Sequence, residues 1–306
     1  MDERRVNISY SLKISDLEDE VQALLFRCFG KLKKLESKMD GKLYKEALSL
    51  AKSPVRCLDS HMASLKHLKS IISKGSVTHS YLFFSGEVEL SLAESHRFVC
   101  AHTDNEAIYE FWDCALNDSG LLYDIVKAKQ FANIFNKRVF HILQENWLAY
   151  KDPYIRSALF YILNKLSDTG KISSGNFREG VLNPLSLSRL KNFKISNFHL
   201  QIDKNKSLIS TCKEQVDADF CLFPMGRFNY SFFEHGKNVG PEETILAHKQ
   251  FHSEITEIND KKWILLYKKH KEVFSLYNKQ KTVMIDKFGK LTSELSQCEE
   301  IIVTNF

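Results

Sequence analysis

The sequence lacks the features that mark secreted and membrane-spanning proteins. Its opening residues, MDERRVNISY, contain no apolar segment of the kind that forms the centre of a secretory signal. No apolar run in the chain approaches the roughly 18 residues that a membrane-spanning helix requires. We therefore expect an intracellular, cytoplasmic protein with no membrane partner.

Cysteine is too scattered to build a disulfide framework or a zinc ribbon. The seven cysteines are odd in number, lie at least nine positions apart and include no C-x-x-C pair. We therefore expect a reducing compartment and no metal. His248 and His252 are one helical turn apart, but no H-E-x-x-H motif surrounds them, so we interpret them as a solvent-exposed helix face.

The sequence also contains no internal repeat, no low-complexity tract and no P-loop, and no Ser-His-Asp or Cys-His pair has sequence support. What is present is an ordinary globular composition of 306 residues, 43% hydrophobic and 26% charged. The formal net charge of +5 is mildly basic. Such a charge permits an acidic partner such as nucleic acid without requiring one.

The first 52 residues predict a separate extension. Residues 5–14, RVNISYSLKI, alternate between apolar and polar side chains, which is typical of a half-buried strand. Ser15 and Glu18 then have the spacing of a capping box ahead of a helical apolar stripe. We interpret this strand and helix as packed on the main body, and the alternative is a contact for a protein partner or a second copy.

From Pro54 onward, predicted strands and helices alternate. Apolar runs predict strands at 79–86, 97–102, 199–202, 219–223, 263–267, 281–286 and 299–306. Periodic segments predict helices at about 61–73, 105–116, 241–258 and 270–279, with a strongly helical stretch at about 121–166. This alternation predicts an α/β fold with a mostly parallel sheet covered on both faces.

The most specific stretch is DPYIRSALFYILNKLSDTGKISSGNFREGVLNP, residues 152–184. The order and spacing of its Asp-Pro, Arg, Ala-Leu-Phe, Leu-Asn, Gly, Asn, Arg-Glu-Gly and Asn-Pro elements resemble the Dam-type DNA adenine-N6 methyltransferase family. Further segments resemble that family in the same order: YLFFSGEVELSL (81–92), RFVCAHTDNEAIYEFW (97–112), FPMG (223–226), WILLYKKHKEVFSLY (263–277) and EIIVTNF (300–306).

The resemblance covers about residues 53–306 and implies a Rossmann-like methyltransferase sheet. Its two parts are expected at 53–118 and 201–306, with a helical target-recognition-like insertion at 119–200. The strand-helix extension at 1–52 lies outside the resemblance.

The resemblance places the family's D-P-P-Y motif at Phe223, Pro224, Met225 and Gly226. In the family, the Asp accepts a hydrogen from the adenine amine and the Tyr stacks on the flipped base, a contact worth roughly 1–3 kcal/mol. Here neither the acceptor nor the ring is present, and losing one positioned polar contact costs about 10²–10³ in rate. The resemblance therefore implies a degenerate catalytic site. The alternative is an acid at 217 or 219, although neither position is followed by Pro.

The expected cofactor turn is altered as well. The resemblance places Phe84 and Gly86 in the glycine-rich turn, where a backbone must approach the ligand closely. Gly86 is retained, but Glu87 and Val88 follow it. Glu87 would place a negative charge near the carboxylate of S-adenosylmethionine.

Two further cofactor contacts of the family are displaced or replaced. The acid that holds the ribose aligns with His102 or Thr103, and Asp104 is the shifted candidate. The family's early Gly-Gly-Lys corresponds to Asp59-Ser60-His61. We therefore expect no cofactor, and S-adenosylmethionine only if the pocket is retained.

Basic residues near the expected DNA side are the candidate nucleic-acid contacts. The segment 189–198 interleaves cations with Phe193 and Phe198, a pattern that suits phosphate contacts and base stacking. The candidates are Asn176, Arg178, Arg189, Lys191 and Lys194.

Three functions remain open from the sequence. The leading one is a catalytically inactive relative of the DNA adenine methyltransferases that binds DNA or a protein partner. The second is a divergent but active S-adenosylmethionine-dependent DNA adenine methyltransferase. The third is a structural or assembly subunit that joins a complex, or a second copy of itself, through residues 1–52.

Overall fold

The computed structural model describes residues 52–128, 136–178, 182–204, 206–228, 234–236 and 246–306. The predicted strand and helix of the extension lie outside these residues, as does the start of the predicted helix at 241–258.

Eight strands of the described chain form one sheet. Their bounds are β1 Val77–Ser80, β2 Phe98–Thr103, β3 Phe198–Ile202, β4 Phe220–Gly226, β5 Lys262–Lys268, β6 Lys281–Asp286, β7 Leu291–Thr292 and β8 Cys298–Thr304. The strand order is β3-β2-β1-β4-β5-β8-β6-β7. Strands β1 to β5 pair in parallel, whereas β8 is antiparallel to both β5 and β6. The sheet is therefore mixed, within a Rossmann-like α/β fold.

Nine α-helices accompany the strands in the described residues. Their bounds are α1 Leu65–Ile71, α2 Glu87–Glu94, α3 Glu106–Ala128, α4 Lys137–Asn146, α5 Pro153–Leu166, α6 Pro184–Lys191, α7 Leu208–Glu214, α8 His248–Thr256 and α9 Lys271–Leu276. Helix α3 is interrupted at Asp118, whose φ of −148° and ψ of 79° are not helical. None of the described helices combines the length and apolar character needed to cross a bilayer.

Strand β4 shows why the sheet is covered on both faces. Its buried residues alternate between two hydrophobic clusters. Cys221, Phe223 and Met225 pack into one cluster, and Phe220 and Leu222 pack into the other. A continuous apolar run is typical of a parallel strand that buries both of its faces.

The helices α3 to α6 share a core with the sheet. Phe111 and Trp112 of α3 and Phe160 of α5 are fully buried in the same cluster as Phe83 and Ala101. Aromatic rings cross the boundary between helices: Phe111 lies 5.0 Å from Phe160. The burial of large rings, each worth roughly 1.5–3 kcal/mol or more, fixes these helices to one another and to the sheet.

Two dipeptides of the most specific sequence stretch begin helices. Asp152 accepts a hydrogen bond from the Ile155 N–H at the start of α5, and Asn183 accepts one from the Ser186 N–H at the start of α6. In each case Pro occupies the first helical turn, where its missing N–H costs nothing. The Asp-Pro and Asn-Pro elements therefore have a local structural role.

The predicted strand at 79–86 is wrong in its bounds. Strand β1 ends at Ser80, and residues 81–86 form a turn in which Leu82 has a φ of 58°. The apolar run there does not reflect a strand, because Tyr81 and Phe83 are buried as separate anchors of this turn. Helices α2, α6 and α7, each of seven or eight residues, were not predicted.

Candidate functional site

A cavity of about 100 Å³ lies where β1, β2 and β4 reach their carboxyl ends. After β1 the chain moves to β2 and β3 on one side, and then returns to place β4 on the other side. Ligands of open α/β sheets bind at such a switch point. The cavity is lined by Phe84, Gly86 and Asp104, and by Pro224, Met225 and Gly226, so the structure brings the sequence-predicted residues of both motifs together.

The turn between β1 and α2 requires glycine at position 86. Gly86 has a φ of 70°, in the left-handed region, and precedes the first residue of α2. A Cβ atom there would lie 3.0 Å from the Phe83 ring and 3.2 Å from the Trp112 ring. The Trp112 Nε1–H donates to the Phe84 carbonyl at 2.7 Å, which fixes this turn against α3.

Glu87 occupies the N-terminal end of α2 inside the cavity. Burial raises the pKa of its carboxyl group, although a hydrogen bond with Ser60 lowers it. One of its carboxylate oxygens, Oε2, is buried without a hydrogen-bond partner among the described residues. Because a helix N-terminus attracts anions, Glu87 takes the place that the anionic end of a ligand would occupy.

Phe223 does not face the cavity. It is fully buried, and its ring stacks on Tyr81 at 4.7 Å and meets Phe251 edge-on at 5.5 Å. The position that the resemblance aligns with an amine acceptor therefore points into the hydrophobic core.

The rest of this motif offers the cavity little polar chemistry. Met225 is fully buried and lines the cavity with Pro224. Gly226 has a φ of 71°, and a Cβ atom there would meet nothing within 4 Å. Its N–H donates to His61 Nε2 at 3.2 Å, and burial lowers the pKa of His61 to about 4. A neutral imidazole thus holds the end of β4.

Acidic groups outnumber basic groups in the cavity wall. The Asp59 carboxylate forms ion pairs with two basic residues of the wall. Its Oδ2 lies 3.2 Å from Lys171 Nζ, and its Oδ1 lies 2.8 Å from Arg227 Nε. Glu234 is buried and accepts hydrogen bonds from the N–H groups of Ile172, Ser173 and Gly236. The acidic lining residues are Asp59, Glu87, Glu89, Asp104 and Glu234, and the basic ones are Lys171 and Arg227. This excess of carboxyl groups disfavours an anionic ligand.

Two of the predicted nucleic-acid residues belong to a basic cluster formed by Arg56, Lys165, Arg178 and Arg189. Burial, and then the nearby Arg178, lower the pKa of Arg56. Burial, and then Arg189, lower the pKa of Lys165 to about 7. The Arg189 Nε–H is buried without a hydrogen-bond partner among the described residues. Asp168 raises the pKa of Arg56 and Glu87 raises that of Lys165, so carboxylates offset part of the repulsion within the cluster.

The aromatic part of the predicted nucleic-acid surface is wrong. Phe193 is buried against Trp112, with ring centroids 5.6 Å apart, so its ring is not available to stack on a base, and the partly buried Phe198 packs on Phe83 at 5.6 Å. The apolar period in this segment reflects core packing.

The other predicted nucleic-acid residues are exposed. Lys194 is exposed, and Lys191 is exposed with its ammonium 5.1 Å above the Tyr123 ring. Asn176 is exposed too, and its side-chain amide lies 3.4 Å from Asp168.

The histidine pair of α8 is not a solvent-exposed face. His248 is buried, stacks on Phe228 at 4.3 Å and lies 3.3 Å from the Tyr267 hydroxyl. His252 meets the Tyr277 ring edge-on at 5.0 Å. These histidines are packed against core rings, which the sequence spacing alone did not indicate.

No protein-family model matches the sequence, and a search of curated proteins returns no match. The class of protein is therefore described by its fold and its cavity. It is a Rossmann-like α/β protein with a small, acid-lined cavity at the switch point of its sheet.

Proposed function

We propose that this protein is a catalytically inactive relative of the DNA adenine-N6 methyltransferases that binds DNA. The observation that carries the loss of catalysis is the burial of Phe223 between Tyr81 and Phe251. An acceptor for the adenine amine has to face the cavity, and this side chain faces the core.

The sheet supports the ancestry. Its order places β8, which is antiparallel to both neighbours, between β5 and β6, while β1 to β5 are parallel and β7 is antiparallel to β6 at the edge. This arrangement agrees with the methyltransferase sheet that the sequence resemblance implies. A fold supports many functions, so the site rather than the sheet decides the activity.

The cavity wall supports the loss of cofactor binding. Glu87 places a carboxyl group at the helix N-terminus, where the carboxylate of S-adenosylmethionine would be expected. Two carboxylates in one site repel each other, and one of them has to be protonated or expelled. The raised pKa of Glu87 shows that its burial already disfavours the charged form.

The basic cluster supports DNA as the partner. Arg178 is exposed at its edge, and Arg189 carries an unpartnered buried donor. Guanidinium groups bind phosphate with two parallel hydrogen bonds, which suits a nucleic-acid backbone. Such contacts do not depend on methyl transfer, so DNA binding can persist without it.

A specific observation favours the second candidate, an active methyltransferase. Gly86 and Asp104 line the same cavity, as a retained turn and a shifted ribose-binding acid would require. Calorimetric titration with S-adenosylmethionine distinguishes the inactive relative from the active methyltransferase. We expect no binding at millimolar ligand, whereas micromolar binding together with methyl transfer to DNA would establish the enzyme.

The DNA-binding part is tested by fluorescence anisotropy with duplex DNA over a range of salt concentrations. We expect affinity to fall steeply with salt, and Arg178→Ala to weaken binding and reduce the log–log salt slope by about one. Lys287→Ala, which removes a cation between β6 and β7, is the matched control and should leave the slope unchanged. If the wild-type protein shows no salt-dependent binding, the DNA proposal is wrong.

A further inference from the structure

Two histidines and a cysteine converge on one face of the sheet. His79 of β1 lies opposite Cys100 of β2 in the strand register, and His102 follows two residues later on the same face. One nitrogen or sulfur atom from each of the three lies within 4.8 Å of the others. His79 and His102 are buried, with 3% and 2% of their surface exposed, while Cys100 is partly exposed.

A hydrogen-bonded chain fixes the tautomer of His102. Its Nδ1 lies 2.6 Å from Asp203 Oδ2, and its Nε2 lies 2.8 Å from His79 Nδ1. Since a carboxylate accepts hydrogen bonds, Nδ1 of His102 carries the proton and Nε2 presents a lone pair to His79. Tyr81 stacks on the His102 ring at 4.7 Å and holds its orientation.

This hydrogen-bonded series of side chains has too few N–H groups for all of its contacts. If Nδ1 of neutral His79 donates to His102, then Nε2 of His79 carries a lone pair. That nitrogen is buried, forms no hydrogen bond among the described residues, and lies 3.4 Å from Asp217 Oδ1, which is another acceptor. Two neutral imidazoles supply two protons for three contacts, which are the one with Asp203, the one between the rings and the one with Asp217.

We propose that His79 Nδ1, Cys100 Sγ and His102 Nε2 bind a divalent transition-metal ion of the Zn²⁺ type. Two Zn–N bonds of about 2.0–2.1 Å at a tetrahedral angle separate their nitrogens by about 3.3 Å. The facing nitrogens, now 2.8 Å apart, have to open by roughly half an ångström to admit the ion. Three protein ligands leave the fourth tetrahedral position to water.

The proton balance of this step uses groups already in place. The His79 proton moves from Nδ1 to Nε2, where it is donated to Asp217, and Cys100 releases one proton to solvent. Each metal-bound histidine then donates its remote N–H to a carboxylate, which is the usual outer partner of such ligands. Coordination of the ion deprotonates the Cys100 thiol.

The site is tested by titrating metal-free protein with Co²⁺ and recording the near-ultraviolet and visible spectra. We expect one equivalent of Co²⁺ to produce a thiolate charge-transfer band and tetrahedral ligand-field bands, and Zn²⁺ to displace it. Cys100→Ser should abolish the charge-transfer band. The matched control is Cys114→Ser, which removes a buried thiol in α3 and should leave the band intact.

A second pair of variants tests the outer carboxylate without touching a ligand. Asp203→Asn should keep the charge-transfer band but lower Zn²⁺ affinity about 10–100-fold. The exposed His96→Asn should not change the affinity. Thermal unfolding in the presence of a chelator checks that every variant folds. The proposal is overturned by a wild-type titration without a charge-transfer band, by a band that survives Cys100→Ser, or by unchanged Zn²⁺ affinity in Asp203→Asn.

Discussion

At the scale of single residues, the surroundings of Phe223 explain the proposed loss of catalysis. Its side chain is enclosed by Tyr81 on one side and Phe251 on another, with no polar atom of its own to satisfy. A carboxylate at this position would lose its hydration without gaining a partner. An Asp side chain at position 223 is therefore incompatible with the present core.

We predict that Phe223→Asp destabilises the protein and restores no methyl transfer. Removing a buried phenylalanine costs about 3–5 kcal/mol, and an unpaired buried carboxyl group adds to that cost. Urea unfolding and a DNA methylation assay measure the two effects. Phe223→Leu, which stays apolar, is the matched control and should lose much less stability. Detectable methyl transfer by Phe223→Asp would contradict the proposed loss of function.

Lys165 predicts a pH dependence of stability. Its pKa is lowered to about 7 by burial and then Arg189, whereas the unfolded chain holds that proton up to the usual lysine range near 10.4. Between about pH 7 and pH 10 the unfolded state therefore binds more protons, and the free energy of unfolding rises with pH, by at most about 1.4 kcal/mol per pH unit.

Lys165→Met should remove this rise and stabilise the protein at pH 7. Urea unfolding of both proteins at several pH values between 7 and 10 measures the difference. Lys287→Met, at an exposed position, is the control and should keep the wild-type profile. If the free energy of unfolding changed with pH equally in wild type and Lys165→Met, Lys165 would not have a lowered pKa in the folded protein.

At the scale of elements, Asn164 of α5 joins two segments that otherwise lack regular structure. Its Oδ1 accepts from the Arg56 N–H at 2.8 Å, and its Nδ2 donates to the Arg56 carbonyl at 2.9 Å and to the Gly170 carbonyl. The side chain is fully buried. These bonds hold the segment before α1 and the loop after α5 beside the cavity.

We predict that Asn164→Ala lowers the free energy of unfolding by about 2–4 kcal/mol, because it leaves buried backbone groups unpaired. Asn117→Ala is a control in α3, where the residue is exposed and its amide donates to Asp113 at 3.0 Å. Denaturant unfolding compares the two. Equal, small effects would mean that solvent replaces the Asn164 hydrogen bonds.

Elements with long apolar runs could be predicted from the sequence, and short ones could not. The runs of β4 and β5 mark strands because both faces are buried. The helix α2 follows an apolar turn directly, so its periodicity merges with the run before it. Which face Phe223 occupies depends on the strand register, and the meeting of His79 with Cys100 depends on the pairing of β1 with β2. Neither property is visible in the order of residues.

At the scale of the whole molecule, the sheet depends on β8, an internal strand formed by Cys298–Thr304. Strand β8 lies between β5 and β6 and pairs with both, and Ile301, Ile302 and Val303 are almost completely buried. Strand β5 and strand β6 therefore both depend on β8 for their pairing on that side. The fold can only be completed after β8 is available.

We predict that deletion of residues 298–306 prevents cooperative folding of the remaining chain. Circular dichroism and thermal unfolding should show loss of a single transition, since an internal strand and its core contacts are gone. Deletion of Phe306 alone, whose ring packs on Phe220 at 5.8 Å, should retain a cooperative transition. A cooperative transition in the longer deletion would mean that the parallel half of the sheet folds by itself.

The stack of His102, Tyr81, Phe223 and Phe251 has a consequence for the history of the protein. Successive ring centroids lie 4.7, 4.7 and 5.5 Å apart, so Phe223 supports the rings on either side of it. Under the proposed ancestry, a return to Asp at position 223 would pass through an unstable intermediate. Selection for a stable protein would remove that intermediate before any activity returned. The substitution is thus entrenched: the route back to the enzyme requires several coordinated changes, whereas drift at the exposed residues remains free.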